Sequence, residues 1–366
     1  MELGRILAAA VLCPLIITCA TASEARFAVG SQTRAFSDED RRNWQNTGPR
    51  PVITVVWYPT DAKLKGEAAV DPNAHFVTKS VIPQAPMSPA SKKYPLLVLS
   101  HGAAGHARAL EWLAHYFAER GYIIAAVTHH GDTSTEGDRP PQGRLHFWER
   151  PGDLTAGLNQ LLVDPEFAPW ADRDRIGAVG YSAGGGTVIQ LAGAVFRPDE
   201  LNSLCQANPA RPGCEIPSSI RKQLNEIDAL AKIDSVVRAS IARRDQSFKD
   251  ERIKAAFVIA PALGRIFTEQ SLGAVNVPIS IVASGADKIT PPALDSQPYA
   301  RWISSARLTL VSEEASHFAF GNECTPLGQR TQDVCQEGAG VDRAALHRTV
   351  GALAYEFFEN VWQSRP

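Results

Sequence analysis

Charge of one sign is what this sequence lacks. Its 37 lysines and arginines nearly balance 39 aspartates and glutamates, for a formal net charge of −2. Glu2 and Arg5 cancel, so removing a leader would leave that balance unchanged. No basic run with interleaved aromatics occurs, and nucleic acid is therefore excluded as the expected partner. Past the first residues, no run is long and apolar enough to cross a bilayer. No internal repeat is present. Cysteine is scarce, with six in 366 residues, and its spacings are not those of a zinc motif.

The first residues are the exception to this even composition. Ile6 to Ile17 is an apolar run preceded by Arg5, and Ala20-Thr21-Ala22 forms an A-x-A cleavage site. The pattern predicts a signal peptide over 1–22 and a mature, secreted or periplasmic chain over 23–366. About 340 residues then remain, enough for one large domain with an insertion. Cys13 and Cys19 leave with the signal. Cys205, Cys214, Cys324 and Cys335 stay, and four cysteines allow three pairings. Sequence proximity favours Cys205–Cys214 and Cys324–Cys335, which an oxidising compartment permits.

Apolar runs and helical patterns alternate along the mature chain. Phe27 to Asn46 reads as polar and turn-rich, and Val52 to Tyr58 as a strand. Residues 61–93 read as a surface excursion. Leu96 to Ser100 fits a buried parallel strand. A helix follows over 106–119, a strand over Tyr122 to Thr128, a helix over Asp153 to Leu162 and a strand over Ile176 to Tyr181. The alternation breaks at 195–253, a helical insertion with a charged helix over Ile220 to Arg244, expected to cap the site. It resumes with strands at Ala255–Ala260, Pro278–Ser284 and Arg307–Val311, and ends in an amphipathic helix over Val341 to Trp362. Such alternation argues for a parallel α/β sheet with its active loops at the strand C-termini.

The chemistry concentrates in Gly180-Tyr181-Ser182-Ala183-Gly184, which stands between a strand and a helix. This is the G-x-S-x-G elbow in the context that gives it meaning. A serine on a sharp turn presents its hydroxyl outward, bulk at the flanking positions would clash, and the helix N-terminus favours negative charge beside it. The nucleophile is therefore expected at Ser182. A serine nucleophile needs a base, and the base an orienting acid, in the chain order Ser, Asp or Glu, His. Asp287 and His317 follow the next-to-last and last strands and fit that order. Asp287 also reads as a turn residue capping Thr290-Pro291, with Asp295 as a fallback acid and Glu313 or Glu314 behind it. The tetrahedral oxyanion needs preorganised donors. These are expected from the amides of Ala183 and Ala103, with Ala104 as the alternative to Ala103.

Other residues draw a plainer reading. His101 reads as a structural hydrogen-bonder beneath its loop. His129 and His130 read as loop packing rather than metal ligands, because adjacent residues seldom point to one ion. Trp112 and Trp148 are candidates for an acyl pocket, although aromatics there are as often core.

Together these residues resemble the α/β-hydrolase superfamily. More narrowly, the chain resembles the bacterial dienelactone-hydrolase-like esterases and the platelet-activating-factor acetylhydrolases. The resemblance rests on Val56-Trp57-Tyr58-Pro59, Ser100-His101-Gly102, Gly131-Asp132, Arg150-Pro151-Gly152-Asp153, the elbow, Asp287, His317, and the late cysteine pair followed by Asp342-Arg343. It implies a mostly parallel sheet flanked by helices and hydrolysis of small carboxylic esters without a cofactor or metal. Dienelactone hydrolases proper carry a cysteine where Ser182 stands. A lipase-like, phospholipase-like or polyester-hydrolysing enzyme, a peptidase, and a non-catalytic binding protein are the other readings.

Overall fold

Nine strands pair into one sheet in the computed structural model, which describes residues 27–64, 66, 74–137, 139–338 and 340–364. The signal peptide expected over 1–22 lies outside the described residues. The strands are β1 (Ala28–Arg42), β2 (Pro49–Thr60), β3 (Ile82–Pro83), β4 (Tyr94–Ser100), β5 (Ile123–Val127), β6 (Ala171–Tyr181), β7 (Ala256–Ile259), β8 (Ile279–Ser284) and β9 (Ala306–Ser312). Their order across the sheet is β3-β1-β2-β5-β4-β6-β7-β8-β9. From β5 to β9 every neighbouring pair is parallel. The chain is therefore an α/β-hydrolase fold with an antiparallel hairpin, β1 and β2, added at one side.

Strand β4 shows why the apolar runs take this form. All seven of its residues are buried, as expected of a strand covered on both faces. Leu96 and Val98 enter one core with Leu154 and Leu158 of the helix Arg150–Leu161 and with Val188 and Ile189 of the helix Ala183–Leu191. Leu97 and Leu99 enter the other, with Phe117 of the helix Glu111–Ala118 and Val350 and Phe358 of the helix Arg343–Gln363. The period-two alternation of a strand thus feeds two separate cores.

Two expectations change. The polar stretch after Phe27 is not a run of turns: 15 of its residues form β1, in continuous register with β2 from Ala28↔Thr60 to Asp38↔Arg50. Pairing overrides composition because the polar side chains find partners. Arg34, for example, bonds Asp164 at 2.8 Å and Glu166 at 2.7 Å. The charged helical stretch expected over Ile220 to Arg244 is divided into two helices, Ser218–Ala231 and Ser235–Ile241. Asp234 divides them by accepting the Val236 and Val237 amides at 2.7 and 3.1 Å, the local side-chain bond that favours a cap over a helix interior.

Both cysteine pairs are bonded, Cys205 to Cys214 and Cys324 to Cys335. The second loop also anchors the 61–93 excursion. Phe76 bridges Cys324, the Val77 amide donates to the Glu323 carbonyl at 2.8 Å, and the Thr325 amide donates to the His75 carbonyl at 3.0 Å.

Candidate active site

Strand β6 ends at Tyr181 and the helix Ala183–Leu191 begins one residue later, so Ser182 alone makes the turn. Its φ of 56° is left-handed, a region that costs an L-residue roughly 1–3 kcal/mol unless its surroundings impose it. The flanking glycines explain how the turn can close. A Cβ on Gly180 would stand 2.1 Å from the Gly184 carbonyl oxygen. One on Gly184 would stand 2.1 Å from the Ser100 carbonyl oxygen. Only hydrogen fits at either place.

The structure brings Ser182, His317 and Asp287 together from the ends of β6, β9 and β8. Ser182 Oγ donates to His317 Nε2 at 2.9 Å, and His317 Nδ1 donates to Asp287 Oδ2 at 2.7 Å. All three are buried. Asp287 is held from its other side. Its Oδ1 accepts the amides of Ile289 and Thr290 at 2.9 and 2.8 Å, and its Oδ2 accepts the Thr290 hydroxyl at 2.8 Å. Asp287 thus caps its own turn and meets the His317 ring at once. Burial opposes its charge, but the His317 ring and the Thr290 donors outweigh that and hold its pKa below the usual carboxylate value. An ionised Asp287 fixes the proton on Nδ1 and leaves the Nε2 lone pair facing Ser182.

Three neighbours fix the short 3₁₀ turn that carries His317. The Tyr181 hydroxyl donates to the His317 carbonyl at 2.9 Å, and its ring stacks on the imidazole with centroids 5.1 Å apart. The Trp112 indole donates to the Phe320 carbonyl at 2.9 Å. His347 Nε2 donates to the Ala319 carbonyl at 3.0 Å. None of these was legible in the sequence, because each joins segments far apart in the chain.

Ser182 and His317 open into a cavity of about 470 Å³. Ala103, His106, Phe76, Ile289 and Phe318 line it, with the last three partly exposed at its mouth. No residue of 195–253 contributes to its walls. The capping role expected for the insertion is thus not seen. That segment packs at the flank instead, where Arg211 bonds the carbonyls of Arg265 and Phe267, and Arg243 pairs with Glu149 at 2.7 Å. Phe76 of the pinned excursion and Val334 of the Cys324–Cys335 loop complete the wall.

On the side of the cavity bearing Ala103, the neighbouring amides differ in what they already bond. The Ala104 amide is taken by Asp132 Oδ1 at 2.9 Å. Among the described residues the Ala103 amide has no acceptor, and Ala103 lines the cavity beside Ser182. Ala183 opens its helix, so its amide belongs to the first turn, which has no intrahelical acceptors.

The remaining candidates lie elsewhere. Trp112 stacks on His347 with centroids 4.0 Å apart, and Trp148 donates to the Ser240 carbonyl and stacks on His146. Both are core, and neither lines the cavity as an acyl pocket would require. His129 bonds Ser100 Oγ at 2.8 Å and Asp153 at 3.0 Å, and burial, aided by Arg150, brings its pKa down to about 3. His130 bonds Glu136 and accepts the Trp44 amide. Asp295 pairs with Arg265, while Glu313 and Glu314 are exposed.

Comparison with known proteins agrees with this architecture. Residues 91–324 match the family model described as Hydrolase_4, serine aminopeptidase, S33. Two cutinases of Thermobifida alba, est2 and est1, are 31% and 30% identical over 108 residues, 29% of this chain and 32% of each cutinase. The match spans about a third of these curated relatives. A ferulic acid esterase from Streptomyces cinnamoneus superposes with a TM-score of 0.60 over 95% of this chain and 93% of its own, at 18% identity, a likeness of fold. The family match covers more than half of the sequence, and this chain belongs to the Hydrolase_4, serine aminopeptidase S33 family of α/β-hydrolases.

Proposed function

We propose that the protein is an exported serine hydrolase of small carboxylic esters. The observation that carries the reading is the continuous hydrogen-bonded chain from Asp287 through His317 to Ser182, opening on a mainly apolar cavity. In this reading Ser182 Oγ attacks the ester carbonyl while His317 Nε2 takes its proton. Asp287 stabilises the imidazolium that results. The amides of Ala103 and Ala183 receive the oxyanion. The alcohol leaves with the proton from His317, and water, activated by the same nitrogen, hydrolyses the acyl-enzyme. The names of the relatives, two cutinases and a ferulic acid esterase, favour esters over amides. Two disulfides suit an oxidising compartment and support export.

A second reading has one observation in its favour. Phe76, Ile289 and Phe318 place exposed apolar surface around the cavity mouth, which suits longer acyl chains or polyesters. Rates on p-nitrophenyl esters of increasing chain length separate the two: a steep fall beyond butyrate supports the small-ester enzyme.

The primary test is labelling with a fluorophosphonate probe, wild type beside Ser182→Ala. Label on Ser182, with turnover lost in a folded variant, is the expected result. Ester hydrolysis retained by Ser182→Ala overturns the assignment, and faster cleavage of aminoacyl anilides than of esters would move the activity to peptides.

A further inference from the structure

Two motifs singled out in the sequence, Gly131-Asp132 and Arg150-Pro151-Gly152-Asp153, take no part in the chemistry above. They meet beneath the loop that carries Ala103. Ala104 in that loop has φ 56°, left-handed backbone that a residue with a Cβ does not hold unaided. The Ala104 amide donates to Asp132 Oδ1 at 2.9 Å. Asp132 Oδ2 accepts from Arg150 Nη1 at 2.7 Å, and Arg150 Nη2 donates to the His101 carbonyl. One guanidinium therefore grips both ends of the loop, directly at His101 and through Asp132 at Ala104. Between them the Gly102 carbonyl accepts from His101 Nδ1 at 2.6 Å and from the Gly105 amide at 3.1 Å. A trans peptide is planar, so the Ala103 N–H points opposite to that carbonyl. These bonds take up the His101 and Gly102 carbonyls and the Ala104 and Gly105 amides, and the Ala103 amide is left for the cavity.

We propose that Asp132 and Arg150 are positioning residues for the oxyanion site. The buried pair holds Ala104 left-handed, and that keeps the Ala103 amide aimed at the substrate carbonyl oxygen. Neither side chain lines the cavity, so both act through the loop and touch no substrate. The inference rests on the ester-hydrolase reading and adds to it the part that orients one donor.

The test measures kcat and KM on p-nitrophenyl butyrate for the wild type, Arg150→Lys, Asp132→Ala, and the double variant Asp132→Ala/Arg150→Met. The single alanine strands a buried guanidinium and can fail to fold, whereas the double variant leaves no unpaired charge. Arg150→Lys keeps the charge beside Asp132 and removes the second arm to His101, so it remains informative if both others misfold. Loss of one oxyanion donor lowers kcat by about 10²–10³-fold, and a donor left in place but unfixed should cost about 10–100-fold in the double variant and about tenfold in Arg150→Lys. KM should stay within about twofold, since the defect is confined to the transition state. Fluorophosphonate should still label Ser182 completely, and the pH profile of kcat/KM should not move, because His317 keeps its contacts. Adding Ala104→Gly to the double variant should restore part of kcat, since glycine holds a left-handed φ without a clamp. A merely structural pair would show none of that rescue. Wild-type kcat in folded Arg150→Lys or in the folded double variant overturns the proposal. Absence of Ser182-dependent turnover in the wild type would instead overturn the hydrolase reading beneath it.

Discussion

Replacing Gly184 by alanine adds one methyl group where the helix after Ser182 crosses the end of β4. The new Cβ would stand 2.1 Å from the Ser100 carbonyl oxygen, 2.6 Å from its carbon and 2.7 Å from the His101 carbonyl oxygen. A comfortable carbon–oxygen approach is about 3.3 Å, so helix and strand must part by about 1 Å. Nothing at this contact can swing aside, because all three atoms are backbone. Ser100 is also fixed laterally, opposite Gly180 in the β4–β6 ladder. The cost should reach the top of the range for overpacked cores, about 3 kcal/mol. The separation falls at His101, two residues before Ala103, and a misplacement of about 1 Å at a reacting centre can cost about 10²-fold in rate. Urea denaturation and kcat on a short-chain ester measure the two losses. Gly48→Ala is the control, since its Cβ meets nothing closer than 3.8 Å. If Gly184→Ala unfolds within about 0.5 kcal/mol of the wild type, well below the overpacking range, and turns over within twofold of it, the reasoning fails, for the contact would then be soft.

Two further outcomes follow from the site and the core. Asp287→Asn keeps the shape of the acid but no longer fixes the proton on Nδ1, so kcat should fall by about 10³–10⁴-fold with the fold retained; single-turnover kinetics on a chromogenic ester would show it, and near-normal turnover would remove Asp287 from the mechanism. Burial, opposed by Glu149 and aided by Arg243 and Arg50 at His146, and working against weaker favourable contacts at His347, draws both pKa values down to about 4. An unfolded histidine binds its proton near pH 6.5, so the unfolded state takes up protons first, and stability should be full above that pH and decline as pH falls toward 4, by roughly 3 kcal/mol for each group at the end. Denaturation midpoints that stay flat between pH 7 and 4.5 would contradict this.

What the sequence disclosed was what lies close together in it. The elbow is five consecutive residues whose spacing carries its own steric reason, and Gly180 and Gly184 each prove to face a carbonyl. Asp287 and His317 were legible as candidates because each lies in the loop after a strand, and the chain order admits few others. Strand β1 was not, because its polar residues find their partners in β2 and at Asp164 and Glu166, beyond the reach of a local pattern. Trp112 and Trp148 looked like pocket residues and are core, since an aromatic ring carries no mark of which side it packs on. The cap expected from 195–253 failed similarly: a helical insertion shows that a segment exists and leaves open where it docks. Thr290 was legible as the residue Asp287 caps, three positions on in the spacing of an Asx turn.

The turn that holds His317 is fastened by His347, on the last helix of the chain. A ribosome delivers Ser182 about 130 residues before His317, its proposed base, and the fastening arrives later still. The segments that shape the elbow, at Ser100 and Ile259, are thus made before His317. In the proposed mechanism activity then requires a finished chain, for one released before His347 would lack one of the three contacts that fasten the His317 turn, together with the Val350 and Phe358 side chains of the second core.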